Sequence, residues 1–92
     1  MITLSDSEII DKAIGTYGED TQLIKAFEEA GEYLTALAKS MNDQGDELEL
    51  ADEVADLLIT ASSVCKIFDI EEDVVDRVKY KLRRLKQRIE EE

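Results

Sequence analysis

Two short acidic runs carry the chemistry that this sequence could perform. They read Lys25-Ala26-Phe27-Glu28-Glu29-Ala30-Gly31-Glu32-Tyr33 and Glu49-Leu50-Ala51-Asp52-Glu53-Val54-Ala55-Asp56-Leu57, and each holds an acid pair at i, i+3. Residues three apart on a helix are surface neighbours with Cβ atoms about 5–6 Å apart, so Glu29/Glu32 and Glu53/Asp56 each aim two carboxylates into one patch. Antiparallel packing of the two helices can face the patches. Like charges on one helix face destabilise it, and no Lys or Arg lies between Ser40 and Cys65 to offset the second pair. Mg²⁺ suits the task, with Mn²⁺ able to substitute: it takes oxygen ligands octahedrally, keeps several waters, and shares a few carboxylates with substrate phosphates.

The plainer reading of such acids is a solvated helix face. Glu53 and Asp56, however, are embedded among Leu50, Ala51, Val54, Ala55, Leu57, Leu58 and Ile59, where an unpaired charge is costly to bury. Glu49, Asp52, Asp43, Asp46 and Glu47 lie toward a loop and a helix start, where the helix dipole accounts for acids, and they read as structural.

The elements that must position these residues are helices. Ser5-x-x-Glu8 is a capping box that opens a first helix with Ile9, Ile10, Ala13 and Ile14 on its apolar face, and Gly15 and Gly18 mark its end. A second helix is predicted from Asp20 or Thr21 to about Met41, with Leu23, Ala26, Phe27, Ala30, Leu34, Leu37 and Ala38 at helical spacing. Asn42-Asp43-Gln44-Gly45-Asp46 breaks the pattern. A third helix, about Glu47 to Phe68, is apolar on most faces, and Asp69-x-x-Glu72 signals a last helix with a stripe of Val74, Val78, Leu82, Leu85 and Ile89. The expected fold class is therefore all-α, with four helices in one domain over residues 1–92. A helix that is apolar nearly all round needs more cover than this chain holds. The expectation is a homodimer or homotetramer, most simply a two-fold dimer whose second and third helices form a four-helix bundle.

Composition narrows the function. A chain of 92 residues buries only roughly 60–65% of its unfolded surface, enough for one modest core. The net charge of −12 repels nucleic acid and anionic lipid and attracts divalent cations. The chain contains no histidine, which excludes His-based triads and imidazole zinc sites. No basic start, apolar leader or membrane-length apolar run is visible. The lone Cys65 in an apolar stretch reads as a reduced, buried thiol, so the expected setting is cytoplasmic.

Glu28-Glu29-x-x-Glu32, then twenty residues, then Glu53-x-x-Asp56 resembles the EExxE…ExxD signature of the MazG-like all-α nucleoside triphosphate pyrophosphohydrolases. The flanks Leu23-Ile24-Lys25-Ala26-Phe27 and Asp52-Glu53-Val54-Ala55-Asp56-Leu57-Leu58-Ile59 are similar too. From about Tyr17 to Arg88 the chain is similar to small phage-type members. The resemblance implies magnesium-dependent cleavage of a nucleoside or deoxynucleoside triphosphate between its α and β phosphates, giving monophosphate and pyrophosphate. On this reading Glu29, Glu32, Glu53 and Asp56 ligate Mg²⁺, which lowers the pKa of a bound water, and Glu28 or Glu32 orients that water as base.

Candidate substrate contacts follow. Lys25 either makes an i, i+4 ion pair with Glu29, worth about 0.3–0.5 kcal/mol, or meets a phosphate. The last helix gathers Arg77, Lys79, Lys81, Arg83, Arg84, Lys86 and Arg88, seven of the eleven basic residues. Most face water or complement the helix dipole, Asp73 can pair with Arg77, and Lys81 and Arg84 are the candidates for triphosphate contacts. Tyr17, Gln22 and Tyr33 are candidates for base or sugar, although a Tyr in an apolar pattern, such as Tyr33, is more often core with its hydroxyl satisfied. The family often places an asparagine beside such basic residues, whereas Asn42 in the loop is the only asparagine here. That departure supports the alternative of a non-catalytic helical assembly or nucleotide-binding module. Nucleic-acid binding through the basic last helix is opposed by the overall charge.

Overall fold

The computed structural model describes residues 4–92, with side chains from Asp6 onward. Its elements are four helices, α1 Leu4–Tyr17, α2 Glu19–Met41, α3 Glu47–Ile67 and α4 Glu71–Glu91, and no strand occurs among the described residues. The all-α expectation holds. α1 is already under way at Leu4, and the cap bond expected from the Ser5 side chain lies outside the described residues. Gly15 continues α1. Gly18 makes the break, at φ 91°, a left-handed value that glycine tolerates.

α2 and α3 each end in a Schellman motif, which satisfies carbonyls the last turn leaves without partners. After α2 the Asp43 N–H donates to Ser40 O at 3.3 Å and the Gln44 N–H to Lys39 O at 2.9 Å; after α3 the Asp69 N–H donates to Lys66 O at 3.2 Å and the Ile70 N–H to Cys65 O at 2.9 Å. The residues in the left-handed position are Asp43 (φ 56°) and Asp69 (φ 53°). Asp69 therefore closes α3 rather than capping α4, whose N-cap is Ile70 without a side-chain bond. The helix-start reading of Asp69-x-x-Glu72 is corrected accordingly: aspartate serves both N-caps and left-handed C-terminal positions, and here the second role wins. Asp46 does cap α3, accepting from the Leu48 N–H at 2.8 Å.

Gly45 is where the α2–α3 loop passes closest to the helix it leaves. A Cβ there would lie 2.7 Å from Ser40 Oγ and 2.8 Å from the Ser40 backbone nitrogen. Gly45→Ala should cost about 1–3 kcal/mol in urea unfolding, and adding Ser40→Ala should not restore it, because the backbone nitrogen stays in the way.

α2 and α3 pair antiparallel and form the main contact of the chain; α1 lies against both, and α4 touches α3 alone. Lys66 ties the lower end together. Its side chain is only 12% exposed, and its ammonium donates to Ser7 Oγ at 2.6 Å and meets Asp11 at 3.0 Å and Glu71 at 4.0 Å. One cation thereby joins α1, α3 and the start of α4.

Little apolar surface is buried within one chain. Among the described residues Ile10 and Ala36 are the buried hydrophobics, while Gln22, Thr60 and Ser63 are buried polar residues. The hydroxyls are satisfied along their own helix: Thr60 donates to Asp56 O at 2.9 Å and Ser63 to Ile59 O at 3.4 Å. The α2 stripe is only partly covered within one chain: Leu23, Ala26, Ala30 and Leu37 are half-buried, whereas Phe27 is 82% and Leu34 62% exposed.

Candidate metal centre between α2 and α3

The antiparallel pairing brings the two acid pairs together. One carboxylate oxygen from each of Glu29, Glu53 and Asp56 lies within 4.8 Å of the others. Glu29 of α2 faces Asp56 of α3, and Glu32, one turn on, faces Glu53. The fourth acid of the expected set is thus beside the trio, held against Glu53.

Electrostatics here are unfavourable for the metal-free chain. The Glu29 carboxyl is held above its ordinary range, first by burial and then by the charges of Asp56, Glu32 and Glu53. Glu53 is raised as well, first by burial and then by Glu32 and Asp56, with a smaller effect from Glu49. Both effects disfavour the charged form. One oxygen of each, Glu29 Oε2 and Glu53 Oε2, is buried without a hydrogen-bond partner. Buried polar atoms are normally satisfied. An oxygen-only donor set with unpartnered lone pairs and converging negative charge fits a hard divalent cation such as Mg²⁺ or Mn²⁺.

This gives a stability prediction. Glu29→Gln removes one of four mutually repelling acids, so the metal-free variant should melt a few degrees above the wild type, and added Mg²⁺ should raise the wild type more than the variant. Thermal unfolding with EDTA and with Mg²⁺ checks it; a metal-independent loss would assign Glu29 a purely structural role.

A groove of about 690 Å³ runs beside the cluster, lined by Glu28, Gly31, Glu32, Thr35, Ala36, Glu49 and Glu53. That volume suits a small-molecule ligand. A Cβ on Gly31 would meet nothing within 4 Å, so its surface is open, and the Thr35 hydroxyl donates to Gly31 O at 3.1 Å. Glu49, whose place near a helix start reads as structural in the sequence, is part of the wall. Its ammonium partner is Lys39 at 3.9 Å, also unforeseen. The available signal was Glu49-x-x-x-Glu53, an i, i+4 spacing that puts both on one face.

The other candidates are dispersed. Glu28 is exposed on the groove. Lys25 is exposed, and among the described residues no ion pair joins it to Glu29. Tyr17, at the end of α1, is 65% exposed, Gln22 is buried at 8%, and Tyr33 is half-buried. Lys81 and Arg84 line a separate depression of about 310 Å³ on α4 with Leu85 and Arg88, and neither lines the acidic groove. Arg77 lies over the Tyr80 ring, 4.6 Å from its centroid, with Arg84 at 5.8 Å, and no ion pair joins Arg77 to Asp73 among the described residues. The ring stacking takes the place of the expected pair. Asn42 donates its side-chain amide to Ala38 O at 2.9 Å, closing α2.

Two antiparallel helices with an oxygen-only carboxylate centre at the wall of an acidic groove define a helical protein suited to a hard divalent cation. Residues 18–89 match the MazG nucleotide pyrophosphohydrolase domain family, and the chain belongs to that family. The general activity this membership indicates is nucleotide pyrophosphohydrolysis. The match takes in α2, α3 and most of α4 and leaves α1 outside. No curated protein and no solved structure matches the chain. Among the described residues no helix is long and apolar enough to cross a membrane.

Proposed function

We propose that this chain is a Mg²⁺-dependent pyrophosphohydrolase of nucleoside or deoxynucleoside triphosphates, cleaving between the α and β phosphates to give the monophosphate and pyrophosphate. The observation that carries this reading is the convergence of Glu29, Glu53 and Asp56, two of them with buried unpartnered oxygens, at the edge of a groove large enough for a nucleotide. With Glu32 these residues would hold Mg²⁺ (or Mn²⁺), whose positive charge offsets that of the phosphate oxygens.

The remaining work falls to the chain. Glu28 lines the groove without belonging to the coupled cluster, and it orients the attacking water and accepts its proton at the carboxylate. The water oxygen bonds to phosphorus as the bridging P–O bond between the α and β phosphates breaks. Glu32 is the weaker choice of base because it faces Glu53 and would share in holding the cation. Lys25 is exposed one turn before Glu29, where it can meet a phosphate, and Tyr17 is exposed for base or sugar.

The working unit is a homodimer or a homotetramer built from it. Fully burying a large aliphatic or Phe side chain is worth about 1.5–3 kcal/mol, and this chain leaves Phe27, Leu34, Met41, Leu48 and Phe68 at 59–82% exposure. A cytoplasmic setting fits the single free, half-buried Cys65.

The test is pyrophosphate release from a panel of canonical and modified triphosphates, with Mg²⁺ and with EDTA, alongside chromatography of the nucleotide product. Monophosphate plus pyrophosphate, formed only with metal, is the expected result. Binding without turnover across the panel would instead favour the non-catalytic module.

A further inference from the structure

One stripe of α2 runs along the acidic groove and ends in a cation. Glu28, Glu32, Thr35 and Lys39 follow i, i+4, i+7 and i+11, so they share one face, and the first three line the groove. Lys39 stands at the far end. Its ammonium meets Glu49 of the opposite wall at 3.9 Å, with the two side chains 49% and 50% exposed. A pair that long and that open to water is loose, and a second anion can displace it. The backbone beneath is fixed: the Lys39 carbonyl accepts from the Asn42 N–H at 3.1 Å and the Gln44 N–H at 2.9 Å.

The plain account of Lys39 is a cation in the last turn of a helix, where it complements the dipole. A phosphorylated ligand in the groove asks more of it. Phosphate oxygens only accept hydrogen bonds, and so do the ionised carboxylates of Glu28, Glu32, Glu49 and Glu53 that line the groove. Thr35 is the one lining side chain with a proton to give, and it already donates to Gly31 O at 3.1 Å. Lys39 is then the available donor at the wall. No aromatic ring lines the groove either, so it suits a hydrated phosphate tail better than a base.

The order along the stripe fits in-line displacement, which puts the attacking water and the leaving group on opposite sides of phosphorus. Glu28, which holds the water on the reading above, and Lys39 are eleven residues or about 16 Å of helix rise apart, and Glu32 lies between them, facing Glu53 of the metal centre. Long side chains on a helix lean toward its N-terminus, which aims Lys39 back along the groove toward Glu32.

We infer that Lys39 receives the leaving group: it gives up Glu49 and takes the pyrophosphate end of the triphosphate. This rests on the triphosphate reading above and adds to it which end of the groove holds the tail. As the bridging P–O bond breaks, its electron pair stays with the departing pyrophosphate. The water's proton goes to Glu28, and the ammonium offsets the gathering negative charge without transferring a proton. Glu49 competes with the substrate for Lys39.

Calorimetry on the full chain in Mg²⁺, with inorganic pyrophosphate and a nucleoside monophosphate as separate probes, tests it. Lys39→Ala is expected to weaken pyrophosphate at least ~10-fold and to leave the monophosphate within about twofold, while Lys39→Arg keeps most of the affinity. Glu49→Gln is expected to tighten pyrophosphate, and to do so less in the Lys39→Ala background. Lys39 is half exposed, so circular dichroism should find its variants folded. Unchanged pyrophosphate binding in Lys39→Ala, or equal losses for both probes, would overturn the assignment; Glu49→Gln without effect would overturn the exchange. Turnover separates this inference from the reading beneath it. Wild-type hydrolysis of triphosphates with unchanged kcat/KM in Lys39→Ala would remove Lys39 alone. A wild type that binds pyrophosphate through Lys39 but releases none from triphosphates would refute the proposed function and leave the binding assignment standing.

Discussion

Glu53→Gln should lower metal-dependent pyrophosphate release by ~10³-fold or more while the chain stays helical and associated. Glu53 belongs to the converging trio, faces Glu32 across the seam, and carries a buried oxygen without a partner. Glutamine keeps its volume and loses only the charge and one strong oxygen donor. The structural contribution of Glu53 is unfavourable without metal, so its removal should spare the fold and remove the cation. Turnover assays across a range of Mg²⁺ concentrations, with circular dichroism on the same samples, make the comparison. Turnover retained at wild-type level would show that the cluster does not hold the catalytic metal.

Phe27→Ala should weaken the assembly by at least ~2 kcal/mol per copy, seen as a loss of association by sedimentation and a lower, more concentration-dependent melting temperature. In a single chain Phe27 is 82% exposed, and truncating an exposed side chain away from other features usually changes stability by no more than about 0.5 kcal/mol. The two expectations are far enough apart to separate. A small effect would leave Phe27 on free surface and count against the cleft that it lines with Leu23, Ala30 and Phe68.

Much of the candidate site was legible because helical geometry is local. An i, i+3 spacing places Glu29 with Glu32 and Glu53 with Asp56 in any helix, and a short Asn- and Gly-containing loop makes the two helices antiparallel neighbours. Side-chain capping was less legible. Asp46 caps α3, but Asp69, with the same appearance in sequence, ends α3 in a left-handed turn, because a short polar side chain suits either position. Glu49 is a related case: acids near a helix start are ordinary, and only the packing of α2 shows that this one lines the groove.

By itself, then, the sequence determined four helices, the pairing of the acids and the shortage of cations near them, all of which follow from spacing and composition along the chain. The tertiary structure decided which face of each helix points where. It put Gln22, Thr60 and Ser63 in the interior and turned Phe27 and Leu34 outward, and it held α4 away from the acidic groove. Apolar periodicity marks a face that must be covered, but it carries no information about what covers it; that depends on crossing geometry and on how much surface 92 residues can enclose.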